Sequence, residues 1–146
     1  MKKVSVTAAV LLAAILLCTG CSAPWSTFMM DSVLPPVVDT FTWLPRVESV
    51  TLTRLSDGAS VTVSGTDVEI LYAAFENISC TRRKGGVTPA YSLTYSMTDG
   101  LTVLEEVLLG EYRGTMCLAV GEYRYRPVSI ELDMTYIENL FAESTS

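Results

Sequence analysis

Histidine occurs nowhere in the 146 residues. Its absence removes the commonest metal ligand and the commonest general base near neutral pH. Cysteine is scarce. Cys18 and Cys21 lie together near the start, which leaves Cys80 and Cys117 isolated in the rest of the chain. Two cysteines without a histidine do not make a zinc site, and neither has a base to turn it into a thiolate nucleophile. Positive charge is also short: 10 basic residues stand against 16 acidic ones, a net charge of −6. An acidic balance argues against nucleic acid as a partner and against electrostatic binding to anionic lipid. No glycine-rich phosphate loop is present, and no cofactor is implied.

What is present begins at the first residue. Lys2 and Lys3 precede an apolar run over residues 4–17, and Cys18-Thr19-Gly20-Cys21 follows. This is the charged start, apolar middle and small-residue cut of a secretory signal. The run is short against the ~20 apolar residues that span a bilayer. The cysteine at the cut resembles the lipobox of bacterial lipoproteins. Thr19 and Gly20 fit that motif, while Cys18 stands where an aliphatic residue is usual. The resemblance implies that residues 1–20 are a signal peptide, removed before Cys21, and that Cys21 carries a diacyl or triacyl (palmitate-type) lipid. More than one acyl chain gives stable membrane attachment. Removal of Lys2 and Lys3 leaves eight basic residues against sixteen acidic, a net charge of −8.

Residues 21–46 read as a tether that becomes the edge of a domain. Pro24, Pro35, Pro36 and Pro45 interrupt both helix and strand ladders there. Trp25, Phe28, Met29 and Met30 are large for a linker and are expected to pack on the domain.

Residues 47–146 read as a single α+β domain: an antiparallel sheet of about five to seven short strands with two amphipathic helices on one face. Residues 48–55 and 59–64 alternate as strands around Asp57-Gly58, a strong hairpin signal. Thr66-Asp67-Val68-Glu69 is a capping box. After it, Val68, Leu71, Tyr72, Phe75 and Ile78 keep the spacing of a half-buried helix. Residues 79–81 form a short strand, and Arg82-Arg83-Lys84-Gly85-Gly86 a basic loop. Tyr91, Leu93, Tyr95 and Met97 alternate with Ser92, Thr94 and Ser96, the clearest strand pattern in the chain. Asp99-Gly100 makes a second hairpin whose return strand, residues 101–109, ends at Gly110. Residues 112–119 and 123–127 pair around Gly121, and a helix over 130–142 closes the domain. Val68, Leu71, Phe75, Leu93, Tyr95, Val103, Ile137, Leu140 and Phe141 are the expected core.

No catalytic site is legible. Glu105 and Glu106 are adjacent on an expected strand, which turns them to opposite faces. Gly85-Gly86 beside three basic residues has no helix N-terminus after it to complete an anion site. Cys80 and Cys117 are expected to be sheet neighbours and form a candidate disulfide outside the cell. Arg113, Arg124 and Arg126, with Tyr123 and Tyr125, are the residue types of binding hot spots. The three arginines are the candidate contacts for an acidic or carboxylate-bearing partner.

The Cys21 signal, the Ser56-Asp57-Gly58 and Thr98-Asp99-Gly100 hairpins, Tyr123-Arg124-Tyr125 and the closing residues 136–141 together resemble small uncharacterised lipoproteins of Gram-positive bacteria. That likeness implies a location, the extracytoplasmic face of the cell membrane, and a fold type. The expected role is a non-enzymatic module of the cell envelope that binds a protein or peptide. The alternative is an inhibitor or modulator of a secreted hydrolase.

Overall fold

Strand-forming residues fill the domain: over 49–53, 60–64 and 91–96 valine, leucine and tyrosine alternate with serine and threonine, and such residues fit a pleated, half-buried surface. In the computed structural model, which describes residues 27–37, 46–103 and 105–144, they build one antiparallel sheet of eight strands. The strands are β1 (Thr27–Met29), β2 (Val47–Arg54), β3 (Ser60–Ser64), β4 (Ser79–Lys84), β5 (Thr88–Met97), β6 (Val107–Tyr112), β7 (Thr115–Val120) and β8 (Tyr123–Pro127). Two helices, α1 (Thr66–Ala73) and α2 (Thr135–Ser144), and one 3-10 turn at Asp31–Val33 complete the fold. The strand order across the sheet is β1-β4-β8-β7-β6-β5-β2-β3. The α+β class and the antiparallel sheet are as expected, with more strands than the expected five to seven. The segment read as a tether supplies β1. Phe28 pairs with Cys80, and Met30, fully buried, donates its N–H to the Ile78 carbonyl at 2.9 Å. The signal, Trp25, Cys18 and Cys21 lie outside the described residues.

One face of the sheet carries the main core. Val50, Leu52, Leu93, Tyr95, Val107, Leu109 and Leu118 meet Val68, Leu71 and Phe75 from α1 and the turn after it, and Ile137 and Phe141 from α2. Phe141 lies on Tyr91 with ring centroids 5.6 Å apart, and the Arg54 guanidinium covers it at 4.9 Å. Of the expected core, Val103 and Leu140 are only partly buried; the others are buried.

Several local expectations are corrected. Gly65, with φ +57°, caps α1, and no side chain bonds the helix start, so the Thr66–Glu69 capping box does not form. Asn77, at φ +58°, leaves the end of the helical segment in the left-handed region that asparagine tolerates. α2 starts at Thr135, where Asp133 Oδ1 accepts the Thr135 N–H at 2.9 Å. Arg82, Arg83 and Lys84 are on β4, not in a loop. Among the described residues of 101–106 there is one bridge, Thr102 to Ser96, and Glu105 and Glu106 precede β6 instead of sitting on a strand. Gly110 lies inside β6. The turn comes later, at Arg113-Gly114, both at positive φ as a two-residue hairpin turn requires.

The connection from β4 to β5 reveals the shape of the sheet. Lys84 pairs with Tyr123, and Thr88 pairs with Glu111 at the far end of the β6–β7 hairpin. In the strand order, β4 and β5 are four spacings apart. A flat sheet would separate them by about 19 Å sideways alone, whereas four extended residue steps reach about 14 Å. The sheet is therefore coiled, and it curls over the face opposite the main core. Inside the curl the residues are small. A side-chain carbon on Gly110 would lie 2.4 Å from the Thr88 carbonyl oxygen. Cys117 and Ala119, on the same face, are buried outside the main core cluster.

Candidate binding face

The two halves of the face opposite the helices differ. Over β6, β7 and β8 the chain covers itself. Arg124 on β8 reaches across β7, and its guanidinium carbon lies 3.4 Å from the centre of the Tyr112 ring on β6. Its Nη1 donates to the Gly86 carbonyl at 2.8 Å. Arg124 is only 9% exposed. Alternation places this arginine on the side away from the helices, as expected, but the coiled sheet turns that side inward here. Arg124 therefore clamps the β4–β5 crossover and is not presented to a partner. Arg113 and Arg126 are exposed. Arg113 sits in the tight turn, with its guanidinium over Tyr112 at 5.2 Å. The three arginines do not form one exposed surface.

The clamp gives a direct expectation. Arg124→Ala removes a charged hydrogen bond and a desolvated cation–ring contact, each worth about 2 kcal/mol at such sites. It should lower the denaturant midpoint by an amount matching about 2–4 kcal/mol, while Arg126→Ala should stay within about 0.5 kcal/mol of the parent. Equal effects from both would show that the clamp contributes nothing.

The cysteines do not pair. Cys80 lies opposite Pro127, facing the main core, whereas Cys117 shares the other face with Ala119 and Arg124. β8 stands between their strands. Two strand spacings are about 10 Å, beyond the ~7 Å that a disulfide bridges. Both are buried free thiols. Cys80 donates to the Phe28 carbonyl at 3.3 Å, and burial pushes its pKa up to about 11. Cys117 donates to the Thr115 carbonyl at 3.4 Å; burial raises its pKa, although Arg124 and Arg126 pull the other way. Neither is poised as a nucleophile.

Over β3, β2 and β5 the same face is open. Ser60, Thr62 and Ser64 on β3 align with Thr53, Thr51 and Ser49 on β2, and these with Ser92, Thr94 and Ser96 on β5. The result is a grid of hydroxyls, three rows of three, spaced about 4.8 Å across the strands and about 7 Å along them. Thr51 and Thr62 are 2.8 Å apart through their oxygens, and Thr53 and Ser60 are 2.9 Å apart. At the end of the β2–β3 hairpin, Arg54 Nε donates to Asp57 Oδ1 at 3.0 Å. That bond, followed by the one from the Ala59 N–H, holds the Asp57 carboxyl down at about 2. Among the described residues, nothing covers the grid. The sequence showed its components as the polar half of each alternating strand; their alignment across three strands depends on register.

Beside the helix layer, a cleft of about 380 Å³ runs between Pro35, Pro36 and α1, with Asp31, Glu69 and Glu76 around it. The Tyr72 hydroxyl donates to the Pro35 carbonyl at 2.7 Å and fixes this segment against the helix. Burial, and then the neighbouring Tyr95, push the Tyr72 pKa far up. No cluster of acidic or cysteine side chains among the described residues is arranged to hold a metal ion. None of the described helices is long and apolar enough to cross a membrane. Compared with protein-family models, with curated proteins and with solved structures, the chain matches none.

Proposed function

We propose that the chain is an extracytoplasmic lipoprotein, held at the cell membrane by lipid on Cys21, that binds a protein or peptide of the cell envelope through its open sheet face. The observation that carries the binding role is the hydroxyl grid. Both helices pack on the opposite face, and an antiparallel sheet so covered leaves its other face to water or a partner. Hydroxyls donate and accept at one position, so a regular array suits a partner rich in backbone amides and carbonyls. The acidic arginine-binding partner expected from sequence is replaced by this uncharged one, because Arg124 is committed inside the fold. The charged start, apolar run and Thr19-Gly20-Cys21 support the membrane address.

Two experiments test the proposal. A photo-crosslinking residue at Thr94, in the grid, should capture one defined envelope component in cells, and the same residue at Glu138, on the exposed side of α2, should not. Equal capture from both positions removes the face from consideration. Turnover of a peptide or glycan by the purified protein would overturn the binding role itself. The address is tested separately. Cys21→Ala should abolish incorporation of labelled fatty acid and leave the signal uncut or the protein released; unchanged labelling would exclude Cys21 as the lipid site.

A further inference from the structure

We infer that the chain pairs with a second copy of itself along the outer edge of β3, about a two-fold axis at Thr62. β3 is the last strand in the order, and among the described residues it pairs only with β2. The Arg54 N–H donates to the Ala59 carbonyl at 2.8 Å, which makes Arg54 and Ala59 a hydrogen-bonded pair. Antiparallel ladders alternate such pairs every second residue. Val61 and Val63 therefore bond inward to β2, while the N–H and C=O groups of Ser60, Thr62 and Ser64 point outward. The short Thr51–Thr62 and Thr53–Ser60 oxygen distances agree, since side chains approach most closely at the pairs that exchange no backbone bonds.

Within the strand itself, the usual protections of an edge are missing. Ser60–Ser64 contains no charge and no proline, and its register with β2 has no bulge. Sheets normally blunt an edge with such devices or keep it very short. The opposite edge, β1, is three residues long.

The sequence of the edge selects the occupant. Ser60-Val61-Thr62-Val63-Ser64 reads the same in both directions. Two copies laid antiparallel and centred on Thr62 place Ser60 opposite the partner's Ser64, Val61 opposite Val63, and Thr62 opposite itself. Each outward N–H then meets an outward C=O. Such an interface uses one surface patch on both copies and closes after two. It also extends the hydroxyl grid without a break, because the pleat keeps Ser60, Thr62 and Ser64 of both copies on one face. A seam this short is small against a standard interface of ~1,600 Å². Attachment of both copies to one surface raises their effective concentration. That added strength rests on the lipidation proposed above; the pairing geometry does not.

The test uses the full chain in the membranes of an expressing cell, under mild oxidation, on a non-reducing gel. Across the axis the two Thr62 Cα atoms would lie about 5.5 Å apart, within disulfide reach. Thr62→Cys should therefore give a product of twice the monomer mass for most of the protein. Thr94→Cys, on the same face but on an interior strand, should give none above background. Ser60→Cys and Ser64→Cys should fail singly and cross-link when combined, which reads the register even if Thr62→Cys folds poorly. Adding Thr62→Lys to that double variant should abolish the product, because like charges would then face each other. Equal cross-linking of Thr94→Cys, cross-linking of the single variants, or products of another mass would overturn self-pairing, the last by showing a different strand on the edge. No cross-linking of either Thr62→Cys or the double variant, in protein with an unchanged thermal midpoint, would overturn it as well. Loss of pairing only when Cys21→Ala is added would place the failure in the tether and leave the edge geometry standing.

Discussion

Phe75→Ala should lower the stability of the domain by about 3–5 kcal/mol, a large part of what holds a fold of this size together. Phe75 is fully buried just after α1, where its N–H donates to the Tyr72 carbonyl at 2.8 Å. Its ring meets the Tyr72 ring edge-on at 6.4 Å. The ring belongs to the cluster that joins α1 to β2, β5 and α2. Truncation removes the transfer energy of the ring and leaves a cavity whose lining loses its contacts. Denaturant unfolding followed by circular dichroism measures the loss. A change within about 0.5 kcal/mol would mean that α1 is not packed on the sheet.

Gly110→Ala should cost about 3 kcal/mol or more, although it adds a single methyl group. The added carbon would lie 2.4 Å from the Thr88 carbonyl oxygen, 2.6 Å from Val87 Cγ2 and 2.9 Å from Pro89 Cα. Two of these neighbours are backbone, so no change of rotamer relieves the contact, and the β5–β6 pairing has to open or shift. Overpacking typically costs 1–3 kcal/mol, and more where the surroundings cannot move. The same substitution at Gly86, where an added carbon meets nothing within 4 Å, is the matched control. Similar losses at both positions would show that chain entropy, and not the close approach, sets the cost.

The parts of this fold that are legible in sequence are the local ones. Tyr91 to Met97 alternates because one face is buried, and Asp57-Gly58 turns the chain because glycine, here at φ +73°, accepts a left-handed backbone. Gly110 misled for a physical reason. Glycine weakens a strand and so reads as its end, yet here it lies inside one because another strand comes too close for any side chain. Thr66 reads as a cap, but Gly65 takes that place with a backbone conformation that local sequence does not announce. Alternation puts Arg124 on the correct side of its strand, but only the coil of the sheet decides that this side is not surface. Cys80 and Cys117 failed as a pair because strand order across the sheet is non-local, and one residue of parity sends a side chain to the other face. The hydroxyl grid is intermediate: each strand shows its row, but only register joins the rows.

The coiling of the sheet also orders events in time. β4 and β5 follow one another in the chain, yet among the described residues β4 pairs with β1, before it, and with β8, some forty residues after it. A chain that emerges from its N-terminus can close β2 with β3 at once, and β5, β6 and β7 in turn, while β4 waits for Tyr123–Pro127. Pairing between distant segments carries a loop-closure cost before it is rewarded, so such topologies fold slowly. Until β8 is in place, the side of β4 that faces it has no strand to bond.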